Sequence, residues 1–394
     1  MHYTRRLPLS SRPVSIVRAI DEPREFPLRP QAAATANPQW QAWAAASLAA
    51  ATGQEREAAD AALRGALADA LRAERIAEIR DNLDAAGSAA LYRHLWRMLD
   101  AAWRDTGAGT AAAVIAHGFA LPVVIVAAAD TAIEVPGILG DTQDIADLLR
   151  EHRALAGNRN FGLANVLAGA EALGLDRLPA WIAGRDTADS AVAFRDVAPA
   201  PLHTVPGQEG AHLRFLIGSA LAAPQAALFA DRTVGGWGMP LAGMLSKRLA
   251  VAGVQLLALP RPPADPLSAL QQGRLAHREV ALQLFASNAL RRLRADFGEP
   301  TAVVSAHRVE GGGELRLSLS SPFGERDAQG FRCPLLPYDR VEDVQAMIVD
   351  LLQACRVMDV RTLAGTYPDR DPRTGLPLLF RADAIEAAAS VARH

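Results

Sequence analysis

The stretch Asp231-Arg232-Thr233-Val234-Gly235-Gly236-Trp237-Gly238, continuing from Met239 to Pro260, decides the fold class. A glycine-rich loop leads into a helical pattern from Met239 to Ala252, and Gly253 stands where that helix would stop. Val254-Gln255-Leu256-Leu257-Ala258-Leu259 follows, a short apolar run bounded by Gly and Pro that reads as a buried strand. Loop, helix, stop and strand together make an α/β unit. The chain is therefore predicted to be α/β, a mixed sheet with flanking helices, preceded by a helical N-terminal region.

The same unit supplies a candidate ligand site. Backbone amides that converge on an anion usually sit at a helix N-terminus, where glycines allow close approach. Gly235, Gly236, Trp237 and Gly238 hold that position, with Asp231, Arg232 and Lys247 as charged groups in the same unit. The resemblance to a phosphate loop is one of composition: neither the P-loop nor the dinucleotide-binding fingerprint is present, and Lys247 falls inside the helix. Lys247 is the only lysine in the chain, so any Schiff-base chemistry would have to use it.

Toward the C-terminus, Asp265 and Pro266 start a helix that runs to Phe297, with Leu282, Phe285, Leu290, Leu293 and Phe297 along one side. Arg274, Arg278, Arg291, Arg292 and Arg294 lie off that stripe, and the last three complement the helix dipole. This helix is expected to join the strands at 254–259 and 301–307 as a parallel pair. Thr301 to His307 and Leu315 to Ser320 read as a hairpin, in which Leu315, Leu317 and Leu319 alternate with Arg316, Ser318 and Ser320. His307, Arg308, Arg316 and Ser318 are then expected on a solvent-facing side suited to an acidic partner. Asp339 and Glu342 resemble a capping box for a helix carrying Val341, Val344, Ile348, Leu351, Leu352 and Cys355 on its buried stripe.

Toward the N-terminus, His212 to Ser219 reads as a strand that ends at a serine. The nucleophile-elbow pattern is missing there, because Ile217 and Leu221 stand where glycines are needed. Helices are expected over Leu163–Leu173 and from Thr142 to about Arg153, the latter capped by Asp141. Strands near 111–117 and 123–128 flank Pro122 with a bend or hairpin between them. Trp40 to Arg104 is helical throughout and holds four of the six tryptophans, at spacings that suit core contacts. The organisation is thus a proline-rich arm at 1–38, a helical region at 39–108, an α/β body at 109–363 with a hinge near 184–210, and a turn-rich tail at 364–394 with a short helix.

The 394 residues carry a formal charge of −2, which argues against general nucleic-acid or membrane-surface binding. The two cysteines, Cys333 and Cys355, make no ligand pattern, and no metal motif is present among the nine histidines. No signal segment follows Arg5 and Arg6, and no apolar run is long enough to span a membrane, so a cytoplasmic protein is expected. No cofactor is indicated. Two functions follow. The first is a non-catalytic accessory or assembly component of a bacterial cytoplasmic multi-protein system, with a protein partner or homo-oligomer. The second is an α/β enzyme acting on an anionic small molecule at the 235–238 loop, with His212, His307 and Arg316 as further polar candidates.

Overall fold

The computed structural model describes residues 36–106, 113–186, 194, 196–229, 234–309, 312–321, 324–336 and 339–370, with backbone alone at 185–186 and 324–327. The proline-rich arm before residue 36, the helix expected near 382–393, and Asp231 and Arg232 lie outside the described residues.

Four helices come first: α1 (Pro38–Ala49), α2 (Gly53–Arg72), α3 (Ile76–Asp84) and α4 (Ala89–Asp105). Their starts are capped by side chains. Asn37 accepts from the Gln39 amide, Thr52 and Glu55 close a reciprocal capping box, and Ser88 accepts from the Leu91 amide. Their facing sides bury Trp40, Leu63, Leu67, Leu71, Ile79, Leu95, Leu99 and Trp103. That core continues onto one face of the first sheet, where it meets Ala164, Val166, Phe215 and Ile217.

The first sheet contains β1 (Ile115–Ala129), β3 (Phe161–Ala168), β5 (Gly210–Ala222) and β6 (Val254–Pro260), in the order β3-β5-β1-β6 and antiparallel throughout. A small ladder, β2 (Glu134–Val135) with β4 (Leu202–His203), lies beside it. The expected bend around Pro122 is absent, since β1 runs straight through it. Pro122 accepts from the Arg261 amide, so its missing N–H faces the β6 side at the point where that ladder ends at Val123–Pro260. The helix expected over 163–173 is also corrected. Residues 161–168 are strand, and 3-10 turns cover Ala170–Leu173 and Leu175–Arg177 before α6 (Leu178–Asp186).

The second face of this sheet presents Phe119, Leu121, Val123, Ile125, Leu216 and Ala220 to α5 (Gln143–Glu151) and α7 (Gly238–Arg248). Helices thus cover the sheet on both sides.

Helix α8 (Pro266–Asp296) leaves the first sheet and reaches a second one. Asp265 accepts from the Ser268 amide and Pro266 fills the first helical position, as the sequence predicts. Gly273 permits the crossing: a Cβ there would lie 2.9 Å from the Phe215 ring. The second sheet consists of β7 (Thr301–Val309), β8 (Gly312–Ser321), β9 (Gly324–Pro334) and β10 (Asp359–Pro368), in the order β10-β7-β8-β9. Only β10 and β7 are parallel, and α9 (Val341–Ala354) precedes β10. The expected parallel pair across α8 therefore does not form, because β6 and β7 belong to different sheets. Under α8 and α9 this sheet buries Ala302, Val304, Ala306, Leu315, Leu317, Leu319 and Cys333.

The expected capping box of α9 is replaced by another contact. Arg340 is the N-cap and makes no side-chain cap bond, while Asp339 accepts from both terminal nitrogens of Arg278, 3.1 Å for the longer bond. Cys355 sits half-buried at the end of α9, and the fully buried thiol is that of Cys333, which burial pushes up to about 11. The residues after Leu363 are not a turn at first, since β10 continues to Pro368. Among the described residues no helix is long and apolar enough to cross a membrane.

Candidate functional site

The glycine loop leads into α7, as expected, but its parts point elsewhere. Trp237 is buried beneath α7 with Leu241 and Leu245, which makes it a core side chain. Gly236 is pressed against His152, so that a Cβ there would lie 2.9 Å from Nδ1. The Gly238 amide already bonds the Val234 carbonyl, and Pro240 has none to give, so the first turn of α7 has little left for an anion. Lys247 is exposed in the last turn of α7, about 14 Å along the helix from Gly238 at 1.5 Å per residue.

His212 stands on β5, remote in the fold from that loop. Its Nε2 is buried with no partner among the described residues, and burial, then the charge of Arg214, then His277 and His203 push it down to about 4. It is neutral at pH 7. Ser219, at the end of the sequence-predicted strand, is fully buried.

His307 and Arg316 do come together, on the second face of the second sheet. That face was expected in solvent and is instead buried: Arg316 is 1% exposed and His307 0%. Arg316 Nε donates to Glu314 Oε1 at 2.5 Å, its Nη1 to the Asp369 carbonyl at 3.0 Å, and its Nη2 to the Asp369 carboxylate. Arg332 Nε donates to both Glu314 oxygens, at 3.0 and 2.9 Å. Burial alone would raise Asp369, but its bond to Arg316 and the charges of Arg316 and Arg332 hold it below the usual carboxylate range. A buried guanidinium between two carboxylates explains why strands 307–316 tolerate charge inside.

Beside it, His307 Nδ1 lies 3.0 Å from the Pro368 carbonyl and must be the donor, which leaves Nε2 to accept from Ser305 Oγ at 2.8 Å. A hydroxyl bonded to an imidazole nitrogen is the arrangement of a nucleophile and its base. Here both groups are buried, and burial pushes His307 down to about 4 against the pull of the Pro368 bond. Both side chains are part of the buried sheet face, with Ser305 1% and His307 0% exposed. No three His, Cys, Asp or Glu side chains converge as metal ligands among the described residues.

Among the described residues, three clefts that sequence reasoning missed lie along α8. One cavity of about 510 Å³ opens between the 207–211 turn and β9, over Leu284, Phe285, Asn288, Arg291 and Arg292. A second, of about 430 Å³, lies between the β1–β6 ladder and α8 at Val280, Gln283, Leu284 and Ser287. A third, of about 510 Å³, separates α8 from α9 at Glu279, Leu282, Gln283, Met347 and Leu351. Leu284 is shared by the first two, Gln283 by the last two.

At 100° per residue, the positions of the first two cavities fill one broad side of α8, away from the side that buries Ala286, Ala289, Leu290 and Leu293, while the third cavity borders that buried side, to which Leu282 itself belongs. Leu257, on edge strand β6, is 51% exposed at the rim of the second cavity. The signal available in the sequence was the spacing Ala281, Phe285, Asn288, Arg292, a helical stripe of its own beside the core stripe. Phe285 belongs to its edge and is partly buried, and Phe297 is exposed, so the core stripe is narrower than predicted.

The comparisons with known proteins add no family to this geometry: no protein-family model, no curated protein and no solved structure matches the chain.

Proposed function

We infer that the chain is a non-catalytic interaction component of a bacterial cytoplasmic assembly, and that the flank of α8 between Glu279 and Arg292 is its contact surface. The observation that supports this most directly is the set of three adjoining clefts around this stretch of α8. Their chemistry is graded. The cleft beside α9 is lined by Glu279, Asp343 and Asp350, the middle one by Leu257, Leu259, Val280 and Leu284, and the last by Arg291 and Arg292. An apolar centre between polar ends is the anatomy of a protein interface. Edge strand β6 adds a reason, since Val254–Pro260 carries no charged side chain of the kind that guards exposed edges in solitary proteins. The contact is made with a partner chain or with a second copy.

The test is affinity capture of the native chain with cross-linking, comparing wild type with Leu284→Glu. A stoichiometric partner, or a second copy, should cross-link at 279–292 and be lost in the variant, whose melting temperature should change little because Leu284 is only half-buried. A clean monomer, or a partner that cross-links elsewhere and ignores the substitution, removes the reading.

A further inference from the structure

We propose that the basic end of the α8 flank is a docking site for an acidic peptide segment of the partner, one that carries an aromatic or large aliphatic side chain next to its carboxylates. This rests on the interaction reading above and names the chemistry of what enters.

The cavity has two walls and a floor of different character. Phe285 of α8 and Phe331 of β9 meet at 5.3 Å between ring centroids, tilted by 34°, and both remain partly open. They form an apolar seat at its base. Arg291 and Arg292 line the same cavity about two turns further along α8, both exposed. Arg291 Nη2 donates to Asn288 Oδ1 at 2.6 Å, a neutral partner that orients the guanidinium without neutralising it. Arg292 has no carboxylate partner among the described residues. Among the described lining residues Glu209 is the one acid, and it forms no ion pair with either, so these side chains leave the cavity a net positive charge.

Two other arginines of α8 are used differently. Arg278 is spent on Asp339, and Arg294 Nη2 donates to the Cys355 carbonyl at 2.9 Å and the Arg356 carbonyl at 3.2 Å, tying α8 to the end of α9. Arg291 and Arg292 are the pair on the cavity side, and a planar guanidinium presents a fork that suits a carboxylate. A cavity of about 510 Å³ holds a side chain and its neighbours, not a folded domain. The complementary occupant is therefore acidic beside an apolar anchor.

The experiment uses the full chain and a short fluorescein-labelled peptide of alternating aspartate and phenylalanine, followed by anisotropy at two salt concentrations. Two control peptides replace aspartate by lysine, or phenylalanine by serine. Saturable binding of the first peptide alone is expected, weakening with salt, and falling about tenfold or more in the Arg291→Glu/Arg292→Glu variant. Arg291→Gln/Arg292→Gln should give a smaller loss, which keeps the test valid if charge reversal disturbs folding.

Absence of saturable binding, equal binding of the lysine peptide, or an affinity untouched by charge reversal overturns the proposal. The failure is separable from that of the interaction reading. A partner that is lost in Leu284→Glu but indifferent to charge reversal leaves that reading standing and sinks this one. Peptide binding that needs the arginines, in a chain that captures no partner, does the opposite.

Discussion

In the first sheet β1 turns Phe119, Leu121, Val123 and Ile125 to one helical layer and Ala120 and Val124 to the other. In the second, β8 turns Leu315, Leu317 and Leu319 to α8 and α9, and Glu314, Arg316 and Ser318 to the opposite side. Both sheets are buried on both faces, so burial alone does not separate them; what they bury does. An apolar face tolerates a modest shift of its neighbours, because any hydrophobic contact of the right volume will serve. The charged face has one solution. Glu314 must accept from Arg316 and from Arg332 across the strand, and Asp369 must come from the far end of β10. A slipped register would leave a buried charge without its partner. The second sheet trades tolerance for specificity.

Breaking the charged face should therefore give the largest effect. Arg316→Met leaves two carboxylates without their shared cation, and it should lower unfolding stability by about 3–5 kcal/mol in urea titration. A loss below 1 kcal/mol would mean that water or another group replaces the guanidinium easily.

Acid should open the same face next. His307 is depressed from 6.5 to about 4, so the unfolded chain takes up a proton that the folded chain refuses. Its contribution is complete above pH 6.5 and is lost as pH falls toward 4, on the order of 3 kcal/mol for a fully buried group. His212 shifts in the same direction on the first sheet. In His307→Gln the slope of stability against pH between 6.5 and 4 should become shallower without vanishing. An unchanged slope would place the acid sensitivity elsewhere.

The apolar sheet is probed by bulk rather than charge. A Cβ on Gly218 would lie 2.6 Å from the Gly162 carbonyl, where β3 and β5 pair, so Gly218→Ala should cost about 1–3 kcal/mol. Its loss should not vary with pH, in contrast to the charged face, and denaturant midpoints at two pH values would tell.

The smallest effect is expected at the seam between the helical region and α8. Asp265 is raised from 3.8 to about 6, by burial first and then by Asp100, whose Oδ1 accepts from Ser268 Oγ at 3.0 Å. The folded chain holds a proton there that the unfolded chain gives up. The group's contribution is thus full below 3.8 and lost as pH rises through 6. Asp265→Asn keeps a capping side chain and removes the charge, so the melting temperature should rise slightly above pH 6 and stay unchanged near pH 4. A fall at both pH values would show that the carboxylate itself is needed.

Helices were the most legible elements. Asp265-Pro266 announces α8 and the alternation in 315–320 marks β8, whereas α7 ends at Arg248, short of the stop expected at Gly253. Strands that depart from regular pairing were not. β3 shifts register between Leu163 and Leu167, which places Leu163, Val166 and Leu167 at a spacing that also suits a helix. β10 shifts between Thr362 and Thr366, around Gly365 at a φ of 100°, so its outer half resembles a turn. Pro122 reads as a break because proline usually ends a central strand, and its tolerance depends on where β6 stops.

Of the charged face, His307, Arg316 and Ser318 stand out in the sequence but their burial does not, since Arg316 finds its partner 53 residues further on; Glu314, Arg332 and Asp369 carry no local signal, and Arg308 is exposed. The clefts along α8 depend on where two sheets stand to either side of one helix. No local pattern carries that information.

Helix α8 also determines how the chain comes apart. Its first turns give Leu267, Ala269 and Leu270 to the core of the first sheet, and its later turns give Leu282, Ala289, Leu290 and Leu293 to the core of the second. A rod of 31 residues, about 46 Å long at 1.5 Å per residue, cannot fray at one end without loosening the packing that holds the other. The two sheets share neither a strand nor a hydrogen-bond ladder, yet heat should melt them in one cooperative step, because the helix makes the survival of each a condition for the other.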